Sequence, residues 1–457
     1  MEEIRKPVAA LTDKERFPLL RDLTFLNQLK QDLCAPKYNF QSGDRLQHHH
    51  LKKVHEYAAS LKTATFQQSN KIPAWMNDYL KWCVDTVPFY KGSSNSFEEL
   101  PTMRRADIHA APWSFVSGEC NLNDLLVYQT SGTTGPAMNV LFDPISQASW
   151  ISQLESVLAR FDISLTRGSG STAIALICDQ EQTLTYASLS TYLEGAGVLK
   201  INLNKNEWKR EQDRIEYLER YNPEILTGDP FAFLSLLSLK PKITPKALVS
   251  SAMKLTSGIR QLLEDYFRCP VLDIYSLTEC RMIAVAETPD RHRAIRPELF
   301  LEIFHPEKDI PLQEGERGEL VVTGGINPFL PMIRYRTGDF CSLKIEDGTP
   351  YLINLEARTP VFFYRHDNTF VNNVDISRAL MDIPLAGFTL HQHTDKRMVF
   401  KGWSQVQNLE QVIEEKLKQV IGKDTLIEVV VEGVGRGGGK GVVYTSDLEY
   451  VESGREL

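Results

Sequence analysis

The chain has 457 residues, too many for one ordinary hydrophobic core, so at least two domains are expected. Hydrophobic residues make up 42% and charged residues 24% of the sequence, proportions typical of a soluble globular protein. The formal net charge of −8 argues against a nucleic-acid-binding protein, which would need a basic surface. No apolar run approaches the ~20 residues of a membrane helix, and the charged N-terminus precedes no apolar signal region.

The cysteines and histidines argue against a built disulfide or metal framework. The seven cysteines are scattered without CxxC spacing, which fits free thiols in a reducing cytosol. The run His48-His49-His50 could bind a metal, but its polar surroundings favour a surface loop or helix end. We therefore predict a cytoplasmic protein.

Residues 1–100 are predicted to be mostly helical. Apolar residues recur three and four positions apart from Glu15 to Leu33 and from Leu51 to Leu61. A further helix is expected from Pro73 to Asp85. None of these helices carries chemistry by itself.

A loop rich in glycine and hydroxyl residues, Thr130 to Gly135, lies between strand-like runs at Leu125–Tyr128 and Met138–Phe142. This pattern predicts a β-turn-β element. Glycine lets the backbone enclose an anion closely, and hydroxyl and main-chain N–H groups can donate to phosphate oxygens. The loop is therefore either a phosphate site or a flexible surface turn. It is not a Walker A loop, because no lysine lies within it or just after it.

Strand-like and helix-like segments alternate from about residue 125 to residue 300. The expected strands are Thr172–Cys178, Val198–Asn202, Glu224–Thr227, Ala247–Ser251 and Val271–Tyr275. The expected helices are Ser146–Phe161, Asn206–Tyr221, Pro230–Leu239 and Ser257–Phe267. Such alternation predicts an α/β fold with a parallel sheet flanked by helices. Ligands of these sheets bind beyond the carboxyl ends of the strands, which directs attention to the loop after Val271–Tyr275.

That loop combines an aromatic ring, a hydroxyl and a carboxylate. Tyr275 can stack on a planar base, Thr278 can hold a phosphate, and Glu279 can hold Mg²⁺. A packed tyrosine, a threonine turn and a solvated glutamate would explain the same residues, so both readings stay open at this point.

A second acidic position follows a glycine turn in Tyr335-Arg336-Thr337-Gly338-Asp339. Asp339 is suited to accept both hydroxyls of one ribose, as acidic residues do in nucleotide sites. An Asx-type turn is the alternative for an isolated Thr-Gly-Asp.

The character of the chain changes near Leu355 to Pro360, where we predict the start of a small C-terminal domain. A βαβ-like pattern follows, with an amphipathic helix at Asn408–Ile421. Five glycines lie between residues 433 and 439, directly before Lys440, so this cation is expected on a mobile loop. The predicted domains are 1–358 and 359–457.

Together these segments resemble the adenylate-forming (ANL) acyl-ligase superfamily, most closely its phenylacetate–CoA ligase branch, from about residue 85 to residue 440. Thr130 to Gly135 resembles the phosphate loop of that family. The other matching segments are Val87–Tyr90, Leu100–Thr102, Tyr275–Glu279, Gly315–Leu320 and Tyr335–Asp339. One such match is weak, whereas several in the right order and at the right separations are specific.

The resemblance implies a fold with a large N-terminal adenylating domain of mixed and parallel sheets flanked by helices, and a small α+β C-terminal domain. It implies an ATP-dependent acid–thiol ligase. A carboxylic acid, aryl or short acyl, would attack the α-phosphorus of ATP, release pyrophosphate and form an acyl-adenylate. The acyl group would then pass to coenzyme A or to the pantetheine thiol of an acyl or peptidyl carrier protein. ATP, Mg²⁺ and coenzyme A are the implied cofactors, and a homodimer is left open.

The resemblance also implies roles for individual residues. Thr278, Glu279 and Lys440 would be catalytic: Thr278 at the α-phosphate, Glu279 on Mg²⁺, and Lys440 near the α-phosphate and substrate carboxylate. The implied nucleotide-binding residues are Thr130, Ser131, Gly132, Thr133, Thr134, Gly135, Tyr275, Ser276, Asp339 and Arg358.

Several positions depart from the family pattern. Ser276 replaces a glycine, Pro360 falls near the expected hinge, and Val442 replaces an arginine of the tail. Proline at a hinge restricts φ, so domain rotation and the identity of the acceptor (coenzyme A, a carrier protein or an amine) stay open. A non-catalytic relative that binds nucleotide or a partner protein as a scaffold is the alternative. A kinase-like or GTPase-like phosphotransferase is disfavoured by the missing Walker lysine.

Overall fold

The computed structural model describes residues 11–68, 72–94, 96–129, 138–357, 361–434 and 442–448. Its first helices are α1 (Asp13–Arg16), α2 (Thr24–Gln31), α3 (His48–Thr63), α4 (Trp75–Thr86) and α5 (Arg105–Ala110). The run His48-His49-His50 opens α3, in agreement with the predicted helix end. The single helix predicted from Glu15 to Leu33 is interrupted, because Pro18 lacks the N–H that would continue α1.

Two short strands flank the glycine-rich loop. β1 (Leu126–Gln129) pairs antiparallel with β2 (Asn139–Phe142), and Leu126 lies opposite Phe142. The prediction of strands on both sides of the loop is thereby confirmed. The loop residues Thr130 to Gly135 lie outside the described residues.

One sheet of twelve strands dominates the described part of the chain. Its parallel half contains β3 (Thr172–Cys178), β5 (Ala196–Asn202), β6 (Ile225–Gly228), β7 (Ala247–Ser251) and β8 (Val271–Leu277), with β4 (Tyr186–Ser190) antiparallel at the edge. Its antiparallel half contains β9 (Arg281–Thr288), β10 (Arg291–Ala294), β11 (Leu299–Phe304), β12 (Arg317–Gly324), β13 (Met332–Glu346) and β14 (Thr349–Ala357). The order is β11-β12-β13-β14-β10-β9-β8-β7-β6-β3-β5-β4. The predicted mixed and parallel sheet is confirmed.

Helices cover both faces of the parallel half: α6 (Pro144–Leu158), α7 (Asp213–Tyr221), α8 (Pro230–Leu239) and α9 (Ser257–Phe267). Successive strand residues point to opposite faces. Ile174 therefore packs with Leu154 of α6 on one face, whereas Ile177 packs with Phe233 of α8 on the other. No helix of the described segments combines the length and apolar character needed to cross a bilayer.

The C-terminal region has its own sheet and core. Its elements are β15 (Phe362–Tyr364), β16 (Phe370–Asn372), α10 (Asn373–Ala379), β17 (Gly387–Gln392), β18 (Met398–Trp403), α11 (Glu410–Ile421), β19 (Ile427–Glu432) and β20 (Val442–Ser446). Four strands pair in the order β19-β18-β17-β20, and Ile413 and Leu417 of α11 are buried with Phe400 of β18. This small α+β unit confirms the architecture predicted for the C-terminal region, whereas the predicted boundary between residues 358 and 359 stays a prediction.

Candidate active site

The candidate site lies where the β8–β9 hairpin faces β13. Tyr275 near the end of β8 donates its hydroxyl to Oδ2 of Asp339 in β13, with 2.6 Å between the two oxygens. The two residues are 64 positions apart in the chain. The aromatic and acidic groups that were singled out separately in the sequence are therefore direct neighbours.

Asp339 lies in a bulge within β13, and this turn of the main chain is fixed by main-chain and side-chain hydrogen bonds. Gly338 has a φ of +80°, a conformation that glycine adopts without strain. Its N–H donates to Oε1 of Glu319 at 3.1 Å. The N–H of Asp339 donates to Oγ1 of Thr337 at 3.1 Å, and the Thr337 hydroxyl donates to the carbonyl of Leu320. The carboxylate of Asp339 is thus presented from a fixed turn.

Glu279 makes a second connection between the hairpin and β13. It lies in the turn after β8, is only 4% exposed, and accepts a hydrogen bond from the Tyr335 hydroxyl. Burial raises the pKa of Tyr335 well above its usual range, so this phenol remains a donor at physiological pH. One carboxylate oxygen of Glu279 is therefore oriented by a neutral donor.

Burial and neighbouring carboxylates set the ionisation of Asp339. Burial raises the pKa of Asp339 to about 7, the hydrogen bond from Tyr275 opposes the rise, and the charges of Glu279 and Glu319 add to it. A buried carboxylate in this state is stabilised by any hydroxyl or cation that approaches it. The site is thus suited to a ligand with hydroxyl groups.

Comparison with known proteins finds relatives by sequence and a shared fold among solved structures. No family model matches the chain. The phenylacetate-coenzyme A ligase of Escherichia coli is 26% identical over 311 residues, which cover 60% of this chain and 68% of that protein. The phenylacetate-coenzyme A ligase of Pseudomonas putida is 29% identical over 143 residues, 29% of this chain and 33% of that protein.

A solved structure shares the overall fold. It is that of 2-hydroxyisobutyryl-CoA ligase in the postadenylation state, in complex with 2-HIB-AMP. The two structures align with a TM-score of 0.57 and 13% sequence identity, and the alignment covers 86% of this chain and 88% of the ligase chain. The chain thus resembles phenylacetate-coenzyme A ligases in sequence and an acyl-CoA ligase in fold. At this identity the solved structure bears on the fold alone, whereas the two sequence relatives named above are phenylacetate-coenzyme A ligases.

Five of the residues implied by the superfamily resemblance are described. Tyr275, Glu279 and Asp339 lie together, and Ser276 and Thr278 are half-buried in the same β8 end and turn. Thr130 to Gly135, Arg358 and Lys440 lie outside the described residues, so their roles stay predictions.

Arg281 is a site residue that motif comparison missed. It follows the Glu279 turn with a φ of +62°, and its guanidinium lies over the Phe142 ring, 3.9 Å from the ring centre, and donates to Gln147. Burial lowers the pKa of Arg281 to about 10. A cavity lies beside it, lined by residues that include Phe142, Ser146, Gln153, Glu279, Arg281 and Asn327. The only signal for Arg281 in the sequence was its position two residues after Glu279.

Two further residues were also missed, because each supports the site indirectly. Tyr335 orients Glu279, and Glu319 holds the Gly338 turn. Both belong to segments that were matched as motifs, yet only the fold reveals what their side chains contact.

Proposed function

We propose that this chain is an AMP-forming acid–thiol ligase. The observation that carries the proposal is the pair of hydrogen bonds, Tyr275 to Asp339 and Tyr335 to Glu279, that bring the separated motif segments together. Support also comes from the similarity to the E. coli phenylacetate-coenzyme A ligase, which extends over 311 residues.

In the first half-reaction, an oxygen of the substrate carboxylate attacks the α-phosphorus of ATP, and the bond to the leaving pyrophosphate breaks. The Tyr275 ring would stack on adenine, and Asp339 would accept the ribose hydroxyls. Lys440 would offset negative charge between the two reacting anions, since anions approach each other only with cations and donors placed between them. Thr278 and the loop Thr130 to Gly135 would donate to the phosphates.

The carboxylate of Glu279 fits the chemistry of a Mg²⁺ ligand. Mg²⁺ in nucleotide sites takes oxygen ligands from one or two carboxylates and from the substrate phosphates. Glu279 offers a carboxylate oriented by Tyr335 and facing a cavity that also contains the Ser146 and Asn327 side chains. The bound ion would neutralise phosphate charge, and Glu279 would hold it.

In the second half-reaction, a thiol sulfur attacks the acyl carbon and AMP leaves. Coenzyme A is the acceptor favoured by the relatives, and a carrier-protein thiol remains the second acceptor to be tested. Residues 359–457 would move as a domain between the two steps, so that the acceptor can reach the acyl-adenylate. The acid itself is proposed to be aryl or short acyl, a class suggested by the similarity to phenylacetate-coenzyme A ligases.

The deciding experiment measures pyrophosphate and AMP with a panel of aryl and short acyl acids, with and without coenzyme A or a pantetheinylated carrier protein. We expect AMP, acid-dependent pyrophosphate, and a thioester detected by mass spectrometry. ADP as the product, or no pyrophosphate with any acid, would contradict the proposal and favour a phosphotransferase or a nucleotide-binding scaffold, respectively.

A further inference from the structure

Two histidines and one aspartate converge at an edge of the C-terminal sheet, and none of them belongs to the residues proposed for adenylation. His391 lies in β17 and His393 follows two residues later, so their side chains point to the same side of the strand. β20 runs parallel to β17 with Thr445 opposite His391, and the N–H of Asp447 donates to the carbonyl of Gln392 at 2.9 Å. The main chain therefore places the carboxylate beside both imidazoles.

The distances within this cluster fit a small metal ion. Oδ2 of Asp447 lies 3.2 Å from Nε2 of His391 and 3.4 Å from Nδ1 of His393. The three ligand atoms all lie within 4.8 Å of one another. Zinc bonds of ~2.0–2.1 Å in tetrahedral geometry place neighbouring ligand atoms roughly 3.3 Å apart. The two measured separations match that edge length.

The residues around His391, His393 and Asp447 also resemble those around the ligands of a metal site. The Thr445 hydroxyl lies 2.8 Å from Nδ1 of His391, so the second ring nitrogen has a partner while Nε2 points to Asp447. Partners of this kind fix the tautomer and orientation of metal-binding histidines. The side chains of His391 and His393 are each 31% exposed and that of Asp447 is 46% exposed, which leaves a path for an ion and a position for water.

We propose that His391, His393 and Asp447 bind one Zn²⁺ ion, or a similar divalent ion such as Co²⁺. Imidazole nitrogens favour these ions over Mg²⁺, which prefers oxygen ligands. The bound ion would connect the end of β20 to β17. This site is separate from the Mg²⁺ role of Glu279 and does not depend on the proposed ligase activity.

A second histidine–carboxylate cluster provides a contrast within the same chain. His49, His50 and Asp124 also lie close together, but His50 is 3% exposed and its Nδ1 accepts the N–H of Gln47 at the start of α3. This arrangement uses His50 as a helix-capping group. His49→Ala is therefore a matched control that removes an exposed histidine from the other cluster.

The test uses the full chain without an affinity tag, stripped of metal by a chelator and titrated with Zn²⁺ against a chromophoric competitor. We expect one site that is weakened at least ~10-fold by His391→Ala, His393→Ala or Asp447→Asn and is unchanged by His49→Ala. Thr445→Val keeps all three ligands and should weaken binding by ~10-fold or more through loss of the partner of His391. Co²⁺ should give the intense visible absorption of a low-symmetry four-coordinate site in the wild type and in His49→Ala, and should not do so in the three ligand variants.

Thermal unfolding in chelator checks that each variant keeps the wild-type fold. Equal Zn²⁺ affinity in the wild type and in all three ligand variants, or no binding by the wild type, would overturn the proposal. If a variant does not fold, anomalous scattering from Zn²⁺-loaded wild-type crystals decides between an ion among His391, His393 and Asp447 and an ion elsewhere.

Discussion

The hydroxyl of Tyr275 donates to the carboxylate of Asp339 across 2.6 Å, so the proposed adenine-stacking ring and the proposed ribose acceptor form one unit. Stacking of a base on an aromatic ring is worth about 1–3 kcal/mol. We expect Tyr275→Ala to raise the KM for ATP about 5- to 150-fold and Tyr275→Phe, which keeps the ring, to raise it much less. Steady-state pyrophosphate release measures both.

The matched control for this substitution is Tyr221→Phe. Tyr221 also donates to an aspartate, Asp32, at 2.9 Å, but this pair joins α7 to the segment after α2 and lies outside the candidate site. The KM for ATP of Tyr221→Phe should equal that of the wild type. If Tyr275→Ala leaves the ATP KM unchanged, the assignment of the adenine site to Tyr275 is wrong.

The raised pKa of Asp339 is expected to make the proposed ATP binding depend on pH. Because burial raises this pKa to about 7, the carboxylate gains its charge as the pH rises from 6 to 8. The ionised form accepts two ribose hydroxyls better, so the KM for ATP should fall over this interval. Asp339→Asn should weaken ATP binding by roughly 10- to 100-fold, since hydrogen bonds to charged groups are worth about 1.5–3 kcal/mol, and should flatten the pH profile.

The raised pKa of Asp339 also makes the free energy of unfolding depend on pH. A carboxyl group with a raised pKa in the folded state holds its proton longer there than in the unfolded chain. Its stabilising contribution is therefore fully present below the ordinary value of 3.8 and is lost as the pH rises through about 7. Chemical denaturation between pH 4 and 8 should show a weaker pH dependence in Asp339→Asn than in the wild type. Equal slopes would show that Asp339 titrates normally.

Glu279→Gln tests the proposed Mg²⁺ ligand. The amide keeps the size of the side chain and can still accept from Tyr335, but it removes the charge. Loss of one well-placed electrostatic group typically lowers the rate ~100- to 1000-fold, and we expect kcat to fall by that amount with little change in thermal stability. Glu287→Gln, an exposed glutamate on β9, is the control and should keep full activity. Full pyrophosphate release by Glu279→Gln would remove Glu279 from the mechanism.

Regular elements of this fold could be predicted where apolar periodicity is uninterrupted. β3, β7, α8 and α9 begin and end at the predicted residues. The helix predicted for Asn206–Tyr221 ends at the predicted residue but begins only at Asp213. Trp208 is buried and its indole N–H donates to the carbonyl of Asn202, which holds the preceding residues out of α-helical geometry. A tertiary contact of this kind leaves no periodic signal in the sequence.

The composition of the site could be predicted, but its connections could not. Tyr275, Glu279 and Asp339 were each found from local chemistry, because strand ends and glycine turns have recognisable residues. That Tyr275 contacts Asp339 and that Tyr335 contacts Glu279 depends on the register between the β8–β9 hairpin and β13. Arg281 was missed because its stacking partner, Phe142, is distant in sequence.

Gly258 is expected to control the contact between α9 and the C-terminal region. A Cβ atom at this position would lie 2.6 Å from the N atom of Pro384 and 2.7 Å from the O atom of Asp382. Gly258→Ala should therefore lower the free energy of unfolding by about 1–3 kcal/mol, although alanine favours a helix over glycine. Denaturant unfolding measures the loss, and small-angle scattering shows whether the two regions separate.

Gly433→Ala is the control for that substitution. Nothing lies within 4 Å of a Cβ built at Gly433, and its backbone does not require glycine. We expect this variant to match the wild type in both measurements. A wild-type unfolding curve for Gly258→Ala would mean that α9 and the Asp382–Pro384 segment are not in close contact in solution.

Glu319 connects two of the matched segments, and its removal should unfold the turn that carries Asp339. Its Oε2 accepts from Nη1 of Arg336 at 2.6 Å, and its Oε1 accepts the N–H of Gly338 at 3.1 Å. Both Glu319 and Arg336 are buried. Breaking a buried ion pair by removing one charge typically costs about 3–5 kcal/mol when the remaining charge is left without a partner. Arg336 also donates to Asp309 at 3.2 Å, so we expect Glu319→Gln to destabilise the fold by less than this amount and to raise the KM for ATP through the displaced Gly338 turn.

Glu346→Gln gives the matched comparison, since Glu346 pairs with Arg291 at the surface. Solvent screens this pair, so its loss should change stability much less and leave the KM for ATP unaltered. Denaturant unfolding and ATP titration of both variants separate the effects. If Glu319→Gln and Glu346→Gln behave alike, the Arg336–Glu319 pair does not support the turn that carries Asp339. The conformation around Gly338 would then be held by the main-chain hydrogen bonds between β12 and β13.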